Sequence, residues 1–191
     1  MALGFYFDMT RCIGCRACQV ACKDKNNLEV GAIFRNAKTY ETGSFPDVNA
    51  FSFSTSCNHC ETPACVTVCP IGAMYKAEDG TVICDQELCD GCQACVEICP
   101  YQVPQFIEAT GKVNKCDACA YLRAKGENPA CVDACPNRAL DFGDVAELES
   151  KYGKDLVCDL AILPDSEMTH PNTRIKAKDF AKKGDFVELP L

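Results

Sequence analysis

A chain of 191 residues has room for one domain or two small fused ones, and a formal charge of -8 (27 acidic against 19 basic residues) argues against nucleic acid as a partner. No stretch approaches the roughly 20 apolar residues of a membrane span, and Ala2-Leu3-Gly4-Phe5-Tyr6-Phe7 lacks the basic start of a secretory signal. Eighteen cysteines restrict the chain to a disulfide scaffold or a metal protein.

Spacing separates those two. Disulfide frameworks scatter cysteines so that remote segments are stapled, whereas sixteen of these fall into four groups of four with x2 spacings. Zinc fits less well than iron-sulfur, because cysteines at i, i+3, i+6 and i+10 put more thiolates in one loop than a closed tetrahedral site uses.

In chain order, Gly4 to Asp8 reads as a short aromatic strand leading into Cys12-Ile13-Gly14-Cys15-Arg16-Ala17-Cys18-Gln19-Val20-Ala21-Cys22. With Lys23 where a proline would follow the fourth cysteine, helix can continue from Ala17 to Lys25. Ile33 to Glu41 and Ala50 to Ser54 alternate on either side of the turn Gly43-Ser44-Phe45-Pro46-Asp47, which predicts a hairpin covering a metal site. The second group is Cys57, Cys60, Cys65 and Cys69, followed by Pro70. His59 within it reads as a hydrogen-bonding neighbour rather than a ligand, since four thiols are already present. After the turn Glu78-Asp79-Gly80, a strand over Thr81 to Cys84 leads to Cys89-Asp90-Gly91-Cys92-Gln93-Ala94-Cys95-Val96-Glu97-Ile98-Cys99-Pro100. This is the bacterial ferredoxin run, whose first three cysteines hold one [4Fe-4S] cluster and whose fourth holds another. The fourth group is Cys116, Cys119, Cys131 and Cys135, with a polar interval from Ala120 to Ala130 expected to be an exposed loop. Cys84 and Cys158 stand outside the groups and read as structural thiols. Asp144 is an expected N-cap for a helix from Val145 to Tyr152 ended by Gly153. Asp155 to Leu163 reads as a strand and Thr169 to Arg174 as extended chain; the tail from Lys176 to Leu191 would be loose on a free monomer or docked on a neighbouring subunit, and docking is the favoured reading.

The groups form an internal repeat of two kinds. Groups one and three share the compact run, with Asp8 and Asp85 four residues ahead. Groups two and four share a longer gap, with Pro63-Ala64-Cys65-Val66 matching Pro129-Ala130-Cys131-Val132. Runs of this type exchange their fourth cysteines in pairs, but spacing allows one with two and three with four as readily as a nested arrangement. Lys23, Lys115 and Arg16 stand next to or between ligands, where a cation either raises a cluster's potential or merely solvates an anionic surface.

The whole arrangement resembles the four-cluster ferredoxin subunit of the dimethyl sulfoxide reductase family of molybdenum or tungsten oxidoreductases. The likeness rests on Arg11-Cys12-Ile13-Gly14-Cys15, Cys22-Lys23-Asp24, Ser56-Cys57-Asn58-His59-Cys60 with Pro63 and Cys65, Cys99-Pro100-Tyr101, and Lys115-Cys116-Asp117. It spans about residues 4 to 140, with weaker support from Leu163-Pro164 and Thr169 to Asn172. Tyr101-Gln102-Val103-Pro104 departs from the Gly-Ala expected after the tyrosine. The resemblance implies an α+β fold of two nested bacterial-ferredoxin-like modules: an outer one from residues 1–30 and 108–142 and an inner one from 56–107. An inserted β-hairpin (31–55) and a C-terminal extension (143–191) complete the chain. It further implies four [4Fe-4S] clusters on four ligand sets. These are Cys12, Cys15, Cys18 and Cys135; Cys116, Cys119, Cys131 and Cys22; Cys57, Cys60, Cys65 and Cys99; and Cys89, Cys92, Cys95 and Cys69. Cys92 is present where some relatives lack the cysteine and hold a three-iron cluster. The implied role is electron relay, with no catalysis by this chain itself, between a molybdopterin catalytic subunit and an integral membrane quinol-oxidising subunit or a soluble donor. Any membrane association, cytoplasmic or exported, comes through those partners. The rival expectations are an independent soluble polyferredoxin and a zinc-dependent assembly factor.

Overall fold

The structure, a computed structural model, describes residues 2–190. In chain order its elements are β1 (Leu3–Asp8), α1 (Ala17–Lys25), β2 (Asn36–Ser44), β3 (Asp47–Thr55), α2 (Ala64–Thr67), β4 (Met74–Lys76), β5 (Val82–Cys84) and α3 (Ala94–Ile98). There follow β6 (Gln105–Ile107), β7 (Lys112–Asn114), α4 (Ala120–Arg123), α5 (Ala130–Asp133), β8 (Leu140–Asp144), α6 (Val145–Tyr152), β9 (Arg174–Lys176) and β10 (Phe186–Leu189). Helices and strands are mixed, as an α+β protein requires.

The aromatic strand β1 lies in the middle of a sheet, antiparallel to β8 and parallel to β9, so both its edges are paired, and burial of every residue from Gly4 to Asp8 shows that both its faces are covered. Phe5 meets Phe142 edge-on at 4.7 Å and Phe7 meets Phe53 at 5.1 Å, while on the other face Tyr6 stacks on Tyr152 of α6 at 3.7 Å. Helix α6 has the expected bounds. The Asp144 carboxylate accepts from the N–H groups of Ala146 (3.0 Å) and Glu147 (3.3 Å), capping the first turn. Gly153 closes it with φ 99°.

The hairpin β2–β3 forms around Phe45-Pro46, with Tyr40 opposite Phe51 and their rings 5.3 Å apart. Its core face covers the first cysteine group. Ala37 and Gly14 line the same pocket as Cys12, Cys15 and Cys18, and the Cys18 sulfur lies 3.4 Å from the Ser54 hydroxyl. The short helices pair two by two, α1 against α5 and α2 against α3. Helix α1 runs unbroken from Ala17 to Lys25, as the lysine after its last cysteine permits.

Two expectations are corrected, and the tail is found to pack within its own chain. Asp155 to Leu163 is not a strand: Val157 makes a single bridge to Ile175, and the chain then turns with the Leu163 N–H on the Leu160 carbonyl. The sheet position beside β1 is taken by β9, while Asp159 accepts both the N–H and the hydroxyl of Ser166 (2.8 Å each), bending the segment. The interval from Ala120 to Ala130 opens with α4, anchored by Arg123 Nε on the Ala118 carbonyl at 2.9 Å. The tail lies on its own chain. β10 adds to the free edge of β2, Phe186 meets Tyr40 edge-on at 5.7 Å, and Glu188 pairs with Lys38 at 2.8 Å.

Candidate metal centres

Every group opens with a C-x2-C loop, and in all four the residue before the second cysteine is left-handed: Gly14 (φ 70°), His59 (45°), Gly91 (79°) and Ala118 (53°). That turn aims both thiols to one side. Glycine also provides space at two of the positions. A Cβ on Gly14 would lie 2.5 Å from the Ser52 hydroxyl oxygen, and one on Gly91 would lie 2.2 Å from the Gly111 carbonyl oxygen. At His59 and Ala118 the residue's own N–H points at the sulfur of Cys57 (3.5 Å) and Cys116 (3.4 Å). The leading aspartates are turn formers. Asp8 accepts from the Thr10 N–H at 2.8 Å and Asp85 from the Glu87 N–H at 2.7 Å, while the N–H of the cysteine four residues on returns to each aspartate's carbonyl at 3.1 Å. Gln102, where glycine was expected, still adopts a positive φ of 53°.

Four sets of thiols result. Cys12, Cys15, Cys18 and Cys135 line one pocket. Cys57, Cys60, Cys65 and Cys99 line another, and Cys69, Cys89, Cys92 and Cys95 a third. Cys22, Cys116, Cys119 and Cys131 are all buried and act on one another: Cys131 and Cys119 oppose ionisation of Cys22, and Cys22 and Cys131 oppose that of Cys116. Each paired helix serves two sets. Helix α1 presents Cys18 to the first set and Cys22, one turn later, to the set of Cys116, while Cys131 in α5 and Cys135 just beyond it do the converse. Helices α2 and α3 divide Cys65 from Cys69 and Cys95 from Cys99 in the same way.

Among the described residues, no three His, Cys, Asp or Glu side chains converge on a position for one metal ion. The thiols ring a space, which suits a cubane of iron and sulfide better than tetrahedral zinc. Backbone donors also face the sulfurs, with Met74 N–H 3.4 Å from Cys69 and Ala139 N–H 3.2 Å from Cys135. Burial pushes the thiols up, to about 12 at Cys22 and Cys65 and about 11 at Cys60 and Cys95. These four thiols are therefore neutral at pH 7 without metal, and metal binding must expel their protons.

The cations differ in placement. Lys115 is 2 % exposed, and its ammonium donates to the carbonyls of Val82 and Cys116, the latter at 3.0 Å. Burial opposes its charge, but the neighbouring sulfurs of Cys57, Cys116 and Cys65 outweigh burial and raise its pKa. Lys23 instead binds the carbonyls of Glu29 and Ala32 beyond the end of α1, and Arg16 borders the pocket of Cys12 in a left-handed conformation. His59 is fully buried, and its Nδ1 accepts from the Val82 N–H at 3.0 Å. Burial and the nearby Lys115 hold its pKa well below the ordinary value, so it is a neutral pin between the second group and β5. Cys84 borders the pocket of Cys89, with its S–H directed at the Val113 carbonyl (3.2 Å). Sequence reasoning missed Arg35, which is buried against the hairpin with its guanidinium on Ser54 and Ser56. Nothing in its alternating surroundings distinguishes it from a solvent-facing strand residue.

Loops of this geometry on paired short helices define an iron-sulfur protein of the ferredoxin class. Residues 48–145 match the 4Fe-4S dicluster domain family, and residues 9–28 match a 4Fe-4S binding domain. The chain is 46% identical over 181 residues to the B subunit of the anaerobic dimethyl sulfoxide reductase of Escherichia coli (strain K12), covering 91% of this chain and 87% of the relative. It is 44% identical over 189 residues to the corresponding subunit of Haemophilus influenzae, covering 94% and 91%. Similarity extends to the thiosulfate reductase electron transfer subunit PhsB of Salmonella typhi, 44% over 147 residues, covering 74% and 76%. The chain belongs to the iron-sulfur electron-transfer subunits of the dimethyl sulfoxide reductase family, and is a non-catalytic member of an oxidoreductase complex.

Proposed function

We propose that this chain carries four [4Fe-4S] clusters, one on each thiol set, and relays electrons between a donor at one end of the series and a molybdopterin catalytic subunit at the other. The clusters would supply reversible one-electron storage. The protein's own residues hold them, exclude water and set their potentials by N–H···S contacts and nearby charge. A quinol oxidised in a membrane partner yields quinone, two protons and two electrons; the electrons pass singly, and the protons never enter this chain.

The observation that carries this reading is where the thiols are open. Of the eighteen cysteines only Cys15 and Cys92 are exposed, and they belong to different sets. The sets form a series. Cys18 and Cys22 share the cation Arg35, Cys57 acts on Cys116, and α2 packed on α3 links the set of Cys57 with that of Cys92. The exposed thiols thus stand at its two ends, each with apolar neighbours in solvent: Ile13 and Val20 at one, Leu88, Ile71 and Ile98 at the other. An enclosed relay with a partner at each end needs that distribution. The described residues hold no helix long and apolar enough to cross a membrane, so a membrane partner would be a separate chain.

Oxygen-free purification with metal analysis tests the proposal. It expects brown protein with about sixteen irons and as many sulfides per chain, four for each cluster, co-purifying with a molybdenum- or tungsten-containing subunit. Far fewer irons would overturn the count of four. Brown protein without a permanent partner would point to a free polyferredoxin, and colourless protein to zinc.

A further inference from the structure

We propose that Arg35 is a fixed internal counter-charge shared by the set of Cys12, Cys15, Cys18 and Cys135 and the set of Cys22, Cys116, Cys119 and Cys131, raising the reduction potentials of both clusters. The inference rests on the function proposed above, since it requires clusters on those sets.

Arg35 is 2 % exposed and, among the described residues, forms no ion pair with a carboxylate. Its hydrogen bonds go to neutral groups. One terminal nitrogen donates to the Ser54 carbonyl (3.2 Å) and hydroxyl (3.3 Å), the other donates to the Ser56 hydroxyl (2.7 Å), and Nε has no partner. The carbon of the guanidinium lies 4.5 Å from the centre of the Phe5 ring. The cavity beside it is lined by Phe5, Phe7, Phe34, Phe53 and Tyr101, and no Asp or Glu borders it. A buried cation without negative partners is strongly disfavoured. The groups that can balance it are sulfurs, negative once they hold iron. The Ser54 hydroxyl that accepts from Arg35 lies 3.4 Å from the Cys18 sulfur, and ionised Cys131, Cys116, Cys18 and Cys22 together outweigh the burial that opposes the charge of Arg35. Three of these four belong to the set of Cys116 and one to the set of Cys12.

The consequence is electrostatic. Reduction of either cluster adds one electron and no proton, so the combined charge of cluster and thiolates becomes one unit more negative. A fixed cation favours that step, most where it has most sulfur neighbours. Unlike Lys115, which also bonds the carbonyl of a cysteine, Arg35 spends its hydrogen bonds on Ser54 and Ser56 and none on a cysteine backbone. Its charge can therefore be removed while every ligand loop keeps its hydrogen bonds.

The test is an EPR-monitored potentiometric titration of Arg35→Gln and Arg35→Lys in the complete complex, with iron counted in each. In Arg35→Gln, two of four potentials should fall and two should stay. The larger fall should be at least tenfold in the one-electron equilibrium constant, about 59 mV, and Arg35→Lys should restore most of it. Full iron with four unmoved potentials in Arg35→Gln overturns the counter-charge while leaving the relay intact. If Arg35→Gln loses iron, Arg35→Lys decides. Full loading with near-native potentials shows that charge is what the site needs, whereas iron loss there too assigns Arg35 a scaffolding role and overturns the proposal. Fewer than four clusters in the unaltered protein would instead refute the function on which the inference rests.

Discussion

Asp79 shows how single side chains hold the cysteine loops at fixed separations. Its carboxylate accepts from the Thr81 N–H (2.9 Å) and hydroxyl (2.6 Å) and pairs with Arg123 at 2.6 Å, while its carbonyl takes the Leu3 N–H at 3.1 Å. Arg123 in turn bonds the Ala118 carbonyl inside the fourth cysteine loop, so one ion pair joins β1, the β4–β5 turn and that loop. Partial burial acts to raise the pKa of Asp79, but Thr81 and Arg123 prevail and bring it down to about 2 from 3.8. A carboxylate depressed in the folded state contributes stability at every pH above its unfolded value; that contribution is lost as pH falls through the folded one. With Asp79 33% exposed and Arg123 15%, solvent screening limits the pair to about 1 kcal/mol. Asp79→Asn should therefore lower holoprotein stability by about 1 kcal/mol in anaerobic urea titrations. The difference should be the same at pH 7 and pH 5, and should close only below about 4 as the unfolded chain takes up its proton. A gap already closing between pH 7 and 5 would show that another group controls this link.

At the scale of elements, local chemistry explains what was readable. Helix α6 is specified by its cap and by Gly153, α1 by the absence of a proline after Cys22, and the hairpin by alternation on both sides of a turn. Each of these signals lies within a few residues of its effect. What escaped sequence reasoning depends on remote partners. Leu156 to Leu163 is apolar enough for a strand, yet β9 occupies the remaining edge beside β1, and Asp159 bends the segment toward Ser166. The apolar tail residues suggested a neighbouring subunit because nothing local reveals the free edge of β2. The left-handed slots at His59 and Ala118 were hidden for the opposite reason, since the tell-tale glycine is absent although the conformation is the same. The placement of β10 makes its own prediction. Removing residues 184–191 should deprive Thr39 to Thr42 of their β10 partners and speed their amide exchange about tenfold or more, as for an edge opened to solvent. Exchange in β8, which pairs with β1 and not with the hairpin, should be unchanged, and so should iron content. Iron loss on truncation would mean that the tail supports the hairpin's cover over the first thiol set.

For the whole molecule, the thiols are part of the core rather than ornaments on it. Cys22, Cys57, Cys116, Cys131 and Cys135 are buried in the same cluster as Phe5, Phe7, Phe34 and Phe53, and four of the helices that carry or adjoin ligands, α2, α3, α4 and α5, are only four or five residues long. Helices that short have no stability of their own in water. Two strands of β4–β5 and two of β6–β7 form isolated pairs, which are marginal for the same reason. Without metal, the thiols would surround a space that no group fills, and the buried cations Arg35 and Lys115 would stand without the iron-bound thiolates that balance them. Binding free energy at such sites is folding free energy. Anaerobic removal of iron from the isolated holoprotein should therefore abolish its cooperative thermal transition, with circular dichroism showing loss of most helix and calorimetry no residual endotherm. The sheet of β8, β1 and β9 with α6 is the part best able to resist, because on the face toward α6 its packing is the stack of Tyr6 on Tyr152, with the thiols on the other side. Protection surviving there alone would fit this account; a complete cooperative melt after iron removal would contradict it, because the fold would then be standing without the groups around which its thiols are arranged.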